Sequence, residues 1–302
     1  MSRNRFRGSA LSASVTAVAA VILLTGSAGR SGDHSPRASA SVSSVPSMRT
    51  AGAAPVPATT SEEPKVDLDA ALAAAVEPLL ADAGDAELSV AVLDTGSGAR
   101  AVYGDGAFDT ASIVKVDILA ALLLGAQDDK RALTAVERGY ATAMIERSDN
   151  ASATALLRAI GGPEALDAAN ERLGLTGTAA AHAWGLTRTT AADQLTLLKA
   201  VFGTESELSE ASRTYLQGLM GQVEADQQWG VSAAGSSWAL KNGWMPRTTT
   251  GLWDINSIGR VRSGGRVYLV AVLSGGHRTK ETGIARVESA AKAAVGVLGA
   301  AG

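Results

Sequence analysis

The order of predicted elements indicates an α+β fold, in which an antiparallel sheet built from both chain ends is flanked by helices and carries an inserted all-helical domain. Three observations predict this class. A helical pattern and a hairpin pattern open the folded part, within residues 67–103. Several helical patterns separated by turns occupy the middle, about 112–231. Three strand patterns and a helix close the chain, so strands from both ends must share one sheet.

Composition limits the possible functions. The chain has 302 residues, of which 46% are hydrophobic and 19% charged, enough apolar surface for one large domain. A net charge of −3 argues against nucleic acid or an anionic membrane surface as the main partner. The absence of cysteine excludes disulfides, thiolate catalysis and cysteine zinc sites, and three histidines cannot form a histidine-rich metal site. We therefore expect no metal and no cofactor.

The first 64 residues predict export rather than a folded core. Residues 1–28 combine an arginine-rich start with a short apolar stretch, Val15 to Leu24, and small residues near 26–28, as in a secretory signal peptide. Residues 29–64 are rich in Ser, Ala, Thr and Pro and predict a disordered linker. The folded domain is then 65–302. An uncleaved N-terminal membrane anchor is the alternative, and both readings place the domain outside the cytoplasm.

The folded part begins with local patterns of different period. Apolar residues in 67–81 recur at helical spacing, whereas 87–94 alternates as a strand does. Thr95–Gly98 is rich in turn residues, and the strand pattern returns in Ala99–Tyr103. The sequence therefore predicts a helix followed by a hairpin.

A long apolar run follows and predicts a buried helix. The run starts near Ser112 and continues to Leu124. Asp109 or Thr110 is a suitable N-cap, because a short oxygen side chain accepts from the free N–H groups of the first turn. Gly125 is the predicted end, since glycine favours the conformation that closes a helix.

The rest of the chain repeats these signals. Helices are predicted over 134–146, 151–160, 163–173, 189–202 and 209–220. Strands are predicted over Ser237–Lys241, Ile255–Val261 and Val267–Ser274, and a closing helix over 281–299. Gly264 and Gly265 predict a tight hairpin turn between the last two strands.

Ser112 and Lys115 are the first candidate for catalysis. Three residues apart, they lie on one face of a helix. A serine hydroxyl is a weak nucleophile at neutral pH and needs an adjacent base. A lysine near apolar walls loses part of its preference for the charged form, so it is suited to that task. Ser-x-x-Lys alone is common and also fits a capped helix with a surface lysine.

Two further motifs follow in the order that such chemistry requires. Ser148-Asp149-Asn150 lies between two predicted helices, and Lys241-Asn242-Gly243 lies at the predicted end of an apolar strand. Each alone is explained by a helix cap or a turn. Together with Ser112-x-x-Lys115 they are an unlikely coincidence.

With these motifs the chain resembles the penicillin-recognising serine hydrolases, most closely the class A β-lactamases, over about 66–300. The resemblance implies a β-lactamase/transpeptidase-like fold and a secreted, monomeric serine hydrolase. Such an enzyme acts through an acyl-enzyme on small-molecule β-lactams or wall peptides. The implied alternatives are a D,D-peptidase or penicillin-binding protein, and a non-catalytic wall-binding scaffold that kept the fold.

The resemblance also implies roles for residues. Ser112 attacks the acyl carbonyl, Lys115 takes or relays its proton, and Ser148 passes a proton to the leaving nitrogen. Lys241 adds positive charge near Ser148. Trp244 supplies, with Ser112, the backbone N–H groups of the oxyanion site. The implied substrate-binding residues are Asn150, Asn242, Gly243 and Trp244.

Three departures from the family pattern limit this reading. The stretch between Ser112 and Ser148 is short, so a wall of the cleft is expected to be missing. Asn242 replaces the usual hydroxyl residue. The interval Thr176–Thr187 contains no acidic residue, whereas class A enzymes use a glutamate there to activate water for deacylation. We therefore expect weak deacylation, unless Lys115, His182 or a distant acid supplies the base.

Overall fold

The structure, a computed structural model, describes residues 66–301. The predicted signal peptide, 1–28, and the predicted linker, 29–64, lie outside the described residues. Within 66–301, no helix is both long enough and apolar enough to span a bilayer.

One five-stranded antiparallel sheet organises the fold. Its order is β2-β1-β7-β6-β5, which confirms that strands from both chain ends share a sheet. The strands are β1 (Glu87–Asp94), β2 (Arg100–Tyr103), β5 (Ser237–Pro246), β6 (Trp253–Ser263) and β7 (Arg266–Gly275). Gly264 and Gly265, both at positive φ, form the tight turn between β6 and β7 as predicted. Two further strands, β3 (Phe108–Asp109) and β4 (Arg188–Thr189), pair with each other and were not predicted.

Eight α-helices lie in the described part of the chain. They are α1 (Leu68–Val76), α2 (Val114–Asp128), α3 (Ala135–Glu146), α4 (Asn150–Ile160), α5 (Pro163–Arg172), α6 (Ala191–Phe202), α7 (Glu210–Met220) and α8 (Lys280–Ala300). Most start at a polar N-cap whose side chain accepts from the first turn, such as Thr134, Thr190 and Thr279.

Helices cover both faces of the sheet, and β1 shows how the sequence directs this. Val90 and Val92 face a core shared with α1 and α8, while Ala91 between them faces the core shared with α2 and α6. This is the period-2 alternation of a strand, with both faces buried. The α2 helix lies inside the molecule, with nearly every residue buried, as its uninterrupted apolar run predicts.

Two boundaries near the motifs differ from prediction. The α2 helix passes Gly125 and ends at Asp128, because Gly125 keeps helical geometry and the Asp129 N–H closes the last turn. A 3-10 turn, Ala111–Ile113, precedes α2, and Thr110 makes no side-chain cap. Asp109 is not a cap either, since its carboxylate pairs with arginines.

The third boundary concerns β5, which does not end at Lys241. Pairing with β6 continues through Asn242 and Gly243 as far as Pro246, opposite Trp253. The motif therefore lies in mid-strand, where main-chain pairing holds it rigidly. β5 is an edge strand of the sheet. Its outer edge has no neighbouring strand in this sheet, so main-chain groups there are not used in strand pairing.

Candidate active site

Ser112 lies in a strained turn. Ala111 immediately before it has φ +45°, and Ser148 of the second motif has φ +55°. Residues with a Cβ seldom adopt this region, and each such residue costs about 1–3 kcal/mol. Strain of this kind persists where surrounding contacts hold the backbone in place. Here it occurs at the Ser112 motif and at the Ser148 motif.

Lys115 joins the first motif to the second. Its Nζ lies 2.9 Å from Ser112 Oγ, 2.7 Å from the Ser148 carbonyl oxygen, 3.0 Å from Ser148 Oγ and 2.8 Å from Asn150 Oδ1. The side chain is fully buried. Ser112 is one helical turn from Lys115, whereas Ser148 and Asn150 are 33 and 35 positions away, so the fold brings these two to Lys115.

The four hydrogen-bond partners of Lys115 are all oxygen atoms, and they are compatible with a neutral amine. The Ser148 carbonyl and Asn150 Oδ1 can only accept, so they take two N–H donors. The remaining partners are the hydroxyls of Ser112 and Ser148, and one of them can donate to the single lone pair of a neutral amine. Burial lowers the pKa of Lys115 to about 7, against a smaller opposing effect from Asp149. At neutral pH a substantial fraction of Lys115 therefore carries a free lone pair facing the Ser112 hydroxyl.

Lys241 approaches the same serine from the sheet. Its Nζ lies 3.1 Å from Ser148 Oγ and 3.1 Å from the carbonyl oxygen of Asn242, and the side chain is fully buried. Burial, with a smaller contribution from the neighbouring Lys115, lowers the pKa of Lys241 well below its usual value. Ser148 thus lies between two amines, a suitable place for a hydroxyl that passes protons.

The second motif is held by a helix start. Asp149 is the N-cap of α4 and accepts from the Ser152 N–H at 2.7 Å. Hydrogen bonds from Ser152 hold the pKa of Asp149 below its ordinary value. Asn150 is the first residue of α4 and is exposed, so it is accessible to a substrate while its Oδ1 accepts from Lys115.

Gly243 sets the distance between the sheet and the nucleophile. A Cβ at this position would lie 2.6 Å from the Thr110 carbonyl oxygen, 2.8 Å from the Ser112 N and 2.9 Å from the Ile113 N. Only glycine fits there. The motif glycine, expected to contact substrate, therefore faces the backbone of the Ser112 turn.

Asn242 is placed differently from the implied substrate-binding role. Its side chain is buried and donates to the carbonyl oxygens of Gln227, at 2.8 Å, and Trp229, at 3.0 Å. These bonds fix the loop that runs into β5. Trp244, by contrast, lines the cleft beside Ser112 and also packs edge-on against Trp229, with ring centroids 6.0 Å apart.

The cleft beside Ser112 has a volume of about 460 Å³ and a mainly apolar lining. It is lined by Ala111, Ser112, Asn150, Ala183, Trp184, Gly185, Leu186, Trp244 and Met245. No carboxylate is among these residues. The Trp184 ring lies 4.7 Å from Lys115 Nζ and shields it from water.

Other candidate bases lie elsewhere. His182 is exposed and does not line the cleft. Glu164 and Glu171 are exposed on α5. Among the described residues, none of the hydrogen-bond partners of Ser112, Lys115 and Ser148 is an acid.

Comparison with known proteins identifies the family of the chain. A sequence model described as the beta-lactamase enzyme family matches residues 138–298, just over half of the chain. The chain belongs to the beta-lactamase enzyme family. The matched segment contains Ser148, Asn150 and Lys241 and begins after Ser112. No curated protein sequence matches the chain.

Solved structures of beta-lactamases share the fold. A class A beta-lactamase from Bacteroides cellulosilyticus aligns with TM-score 0.68 and 18% identity, over 77% of this chain and 99% of that chain. The extended-spectrum beta-lactamase TLA-1 aligns with TM-score 0.68 and 18% identity, over 76% and 99%. PBP-A aligns with TM-score 0.66 and 18% identity, over 76% and 96%. The fold is thus that of class A beta-lactamase-like serine hydrolases.

Two residues of this beta-lactamase-family site were not predicted. Trp184 was overlooked although it is the only large aromatic residue in the acid-free interval Thr176–Thr187. Asn256 was also not predicted, because its polar neighbours Asp254 and Ser257 in β6 give it no distinguishing signal in the sequence. It is fully buried and contacts the chain just before Ser112.

Proposed function

We propose that this protein is a secreted serine hydrolase whose Ser112 is acylated by β-lactams or related peptide-like amides and whose acyl-enzyme hydrolyses slowly. The observation that carries the proposal is the position of Lys115 Nζ, 2.9 Å from Ser112 Oγ and 3.0 Å from Ser148 Oγ. Few structural roles require a fully buried lysine between two serine hydroxyls, whereas proton transfer does.

Acylation follows from these contacts. Ser112 Oγ attacks the carbonyl carbon of the substrate as its proton passes to the neutral Lys115 amine. The tetrahedral oxyanion accepts from the main-chain N–H groups of Ser112 and Trp244, donors of a kind that contribute about 3 kcal/mol each. The C–N bond then breaks. Ser148 gives its proton to the leaving nitrogen and regains one from Lys115, so the lysine is neutral again and Ser112 carries an ester.

For deacylation, the cleft lacks an acid that could act as the base. Water must attack the ester, and that attack needs a base held near it. The residues that line the cleft include no carboxylate. The 183–186 segment contributes Trp184 and Leu186 to this lining, and neither can act as a base. Because a missing general base costs about 10² to 10⁴ in rate, we expect the acyl-enzyme to accumulate.

The time course of intact mass with excess benzylpenicillin tests the proposal. The expected result is one added penicillin per chain, formed in minutes and lost slowly, with little nitrocefin turnover. Rapid turnover without a lasting adduct would contradict slow deacylation and indicate an efficient β-lactamase. Absence of both adduct and turnover would contradict the enzyme and favour the non-catalytic scaffold.

A D,D-peptidase acting on cell-wall peptides is the second candidate. The cleft is apolar and has no acid that could activate water. This favours a D,D-peptidase, because such an enzyme also forms an ester on its serine but does not need to hydrolyse a penicilloyl ester quickly. The shared fold with PBP-A, of which one variant was solved as an acyl-enzyme complex with penicillin G, adds support. Release of D-alanine from a peptide ending in D-Ala-D-Ala, lost in Ser112→Ala, would separate this function from that of a β-lactamase.

A further inference from the structure

Asn256 connects the sheet to the chain segment that presents Ser112. It lies in mid-β6 and is fully buried. Its Nδ2 donates to the Asp109 carbonyl oxygen at 2.9 Å and to the Thr110 carbonyl oxygen at 3.1 Å. Its Oδ1 accepts from the Ser274 N–H at 3.0 Å. Two acceptors on one side and a donor on the other allow only one orientation of this amide.

These bonds determine the orientation of the peptide before Ser112. The Thr110 carbonyl oxygen also accepts from the Ile113 N–H at 3.3 Å, and the Thr110 N–H donates to the Thr187 carbonyl oxygen at 2.8 Å. The Thr110–Ala111 peptide therefore cannot rotate without breaking buried bonds. Ala111 must then take its positive φ of 45°, a conformation that rotation of this peptide would relieve.

Further hydrogen bonds hold Ser274, the residue whose N–H donates to Asn256 Oδ1. Ser274 Oγ donates to the Ile255 carbonyl oxygen, so it accepts from His277 Nε2 at 2.8 Å. His277 Nδ1 in turn accepts from Arg286 Nη1 of α8 at 3.1 Å. Burial, with a smaller effect from Arg286, lowers the pKa of His277 to about 4, so the ring is neutral, as this donor order requires. The chain of bonds thus runs from α8 through β7 and β6 to the Ser112 turn.

We propose that Asn256 is a positioning residue for Ser112, holding the Thr110–Ala111 peptide so that Ser112 Oγ stays within reach of Lys115 Nζ and the Ser112 N–H faces the cleft. In its effect on catalysis, this inference rests on the proposed acylation of Ser112. It predicts that loss of the Nδ2 donors slows acylation and leaves reversible substrate binding unchanged, because Asn256 does not line the cleft.

The test compares Asn256→Asp with Asn170→Asp. Both asparagines are at most 1% exposed, and Asn170 lies on α5, away from the cleft lining. The substitution conserves shape, but at position 256 it places a carboxyl group against two carbonyl oxygens. Stopped-flow measurement with a fluorescent penicillin separates the dissociation constant from the acylation rate constant. We expect the rate constant of Asn256→Asp to fall about 10²-fold, the order of loss that a 1 Å misplacement produces, with an unchanged dissociation constant.

The control separates positioning from general destabilisation. Asn170→Asp is expected to lower the melting temperature and leave the acylation rate constant of the folded protein unchanged. Equal losses in both variants, or an Asn256→Asp enzyme that acylates at the wild-type rate, would overturn the inference. If Asn256→Asp does not fold, Asn256→Ala takes its place. If neither folds, hydrogen exchange of the Asn256 side-chain amide in the wild type decides, since free exchange would exclude the two bonds.

A crystal structure of the folded Asn256 variant distinguishes failure of this inference from failure of the proposed function. A wild-type protein that no penicillin acylates would contradict the function only. The inference would still predict a rotated Thr110–Ala111 peptide and a Ser112 Oγ to Lys115 Nζ distance longer than 2.9 Å in the variant. Unchanged geometry at Ala111 and Ser112 would overturn it.

Discussion

The two sides of Ser112 differ sharply in how much polar structure surrounds them. On the side of α2, α4 and β5, two buried lysines and Ser148 form a connected set of hydrogen bonds to the Ser112 hydroxyl. On the other side, the 183–186 segment presents Ala183, Trp184 and Leu186 and no acid. One side has the groups that make an ester, and the other lacks the group that usually hydrolyses it.

Under the proposed function, this difference means that the groups for acylation and those for deacylation lie on separate parts of the fold. Acylation depends on residues of the rigid helix and sheet framework, where burial sets the pKa of Lys115. Deacylation in class A enzymes depends on a loop residue. Loops tolerate shortening better than buried elements do, so a chain can lose the residue for deacylation while keeping those for acylation.

The largest expected effect is the complete loss of acylation. Ser112→Ala should abolish covalent labelling by a fluorescent penicillin, because Ser112 lines the cleft, whereas Ser148, the other serine in contact with Lys115, is not among the residues that line it. Ser236→Ala, at an exposed position, is the matched control and should label normally. Labelling of a folded Ser112→Ala protein at the wild-type level would remove Ser112 from the mechanism.

The second effect tests whether Lys115 is the base. Lys115→Met should slow acylation by about 10² to 10⁴. In the wild type, the acylation rate constant should fall about tenfold per pH unit below the Lys115 pKa of about 7, because the protonated amine has no lone pair. A flat acylation profile from roughly pH 5 to pH 8, a range that brackets this pKa, would contradict the assignment.

The same pKa has a consequence for stability with a defined sign. The pKa of Lys115 has its ordinary value of 10.5 in the unfolded chain and is about 7 in the folded chain, so the unfolded chain binds more protons between these values. Its contribution to the free energy of unfolding therefore rises with pH across this window. Denaturant titrations should show a smaller rise in Lys115→Met than in the wild type, because Lys241, whose pKa burial also lowers, contributes a rise of the same sign. Asp117, whose pKa burial raises to about 7, contributes the opposite slope, but only below pH 7.

The third effect is the gain in deacylation that an added carboxylate would give. Ala183→Glu places a carboxylate in the cleft lining, whereas His182→Glu places one beside it on an exposed position outside the lining. We expect Ala183→Glu to raise the deacylation rate about tenfold, a small part of what a well-placed base supplies, and His182→Glu to leave it unchanged. Decay of the penicilloyl adduct by mass spectrometry measures both. Equal decay in both variants would show that the absent acid does not limit hydrolysis.

The fourth effect tests the contact between the sheet and the Ser112 turn. Gly243→Ala should slow acylation about tenfold or more, because its Cβ would lie 2.8 Å from the Ser112 N and push the turn away. Gly139→Ala, in mid-α3 with no atom within 4 Å of the new Cβ, should raise stability by about 0.5–1 kcal/mol and leave acylation unchanged. An unaltered acylation rate in Gly243→Ala would mean that the turn adapts.

Much of the fold was predictable because its signals are local. The period-2 pattern of 87–94 and the glycines at 264 and 265 depend on neighbours in the chain, and the structure confirms both elements. The three motifs were also readable, since each is a short run of residues. Errors fell where tertiary contacts override local preference, as at Gly125, which α2 passes through, and at Lys241, where pairing with β6 prolongs the strand.

The sequence by itself determined the order of elements, the sheet built from both chain ends, the candidate nucleophile and the absence of an acid in the interval Thr176–Thr187. Only the tertiary structure decided that Lys115 and Lys241 meet at Ser148, that Gly243 presses on the Ser112 backbone while Asn242 faces a loop, and that Asn256 holds the preceding peptide. The physical reason is that burial and hydrogen bonding join residues far apart in the chain. Ser148 and Lys241 are 93 positions apart, and no local pattern encodes the distance between their side chains.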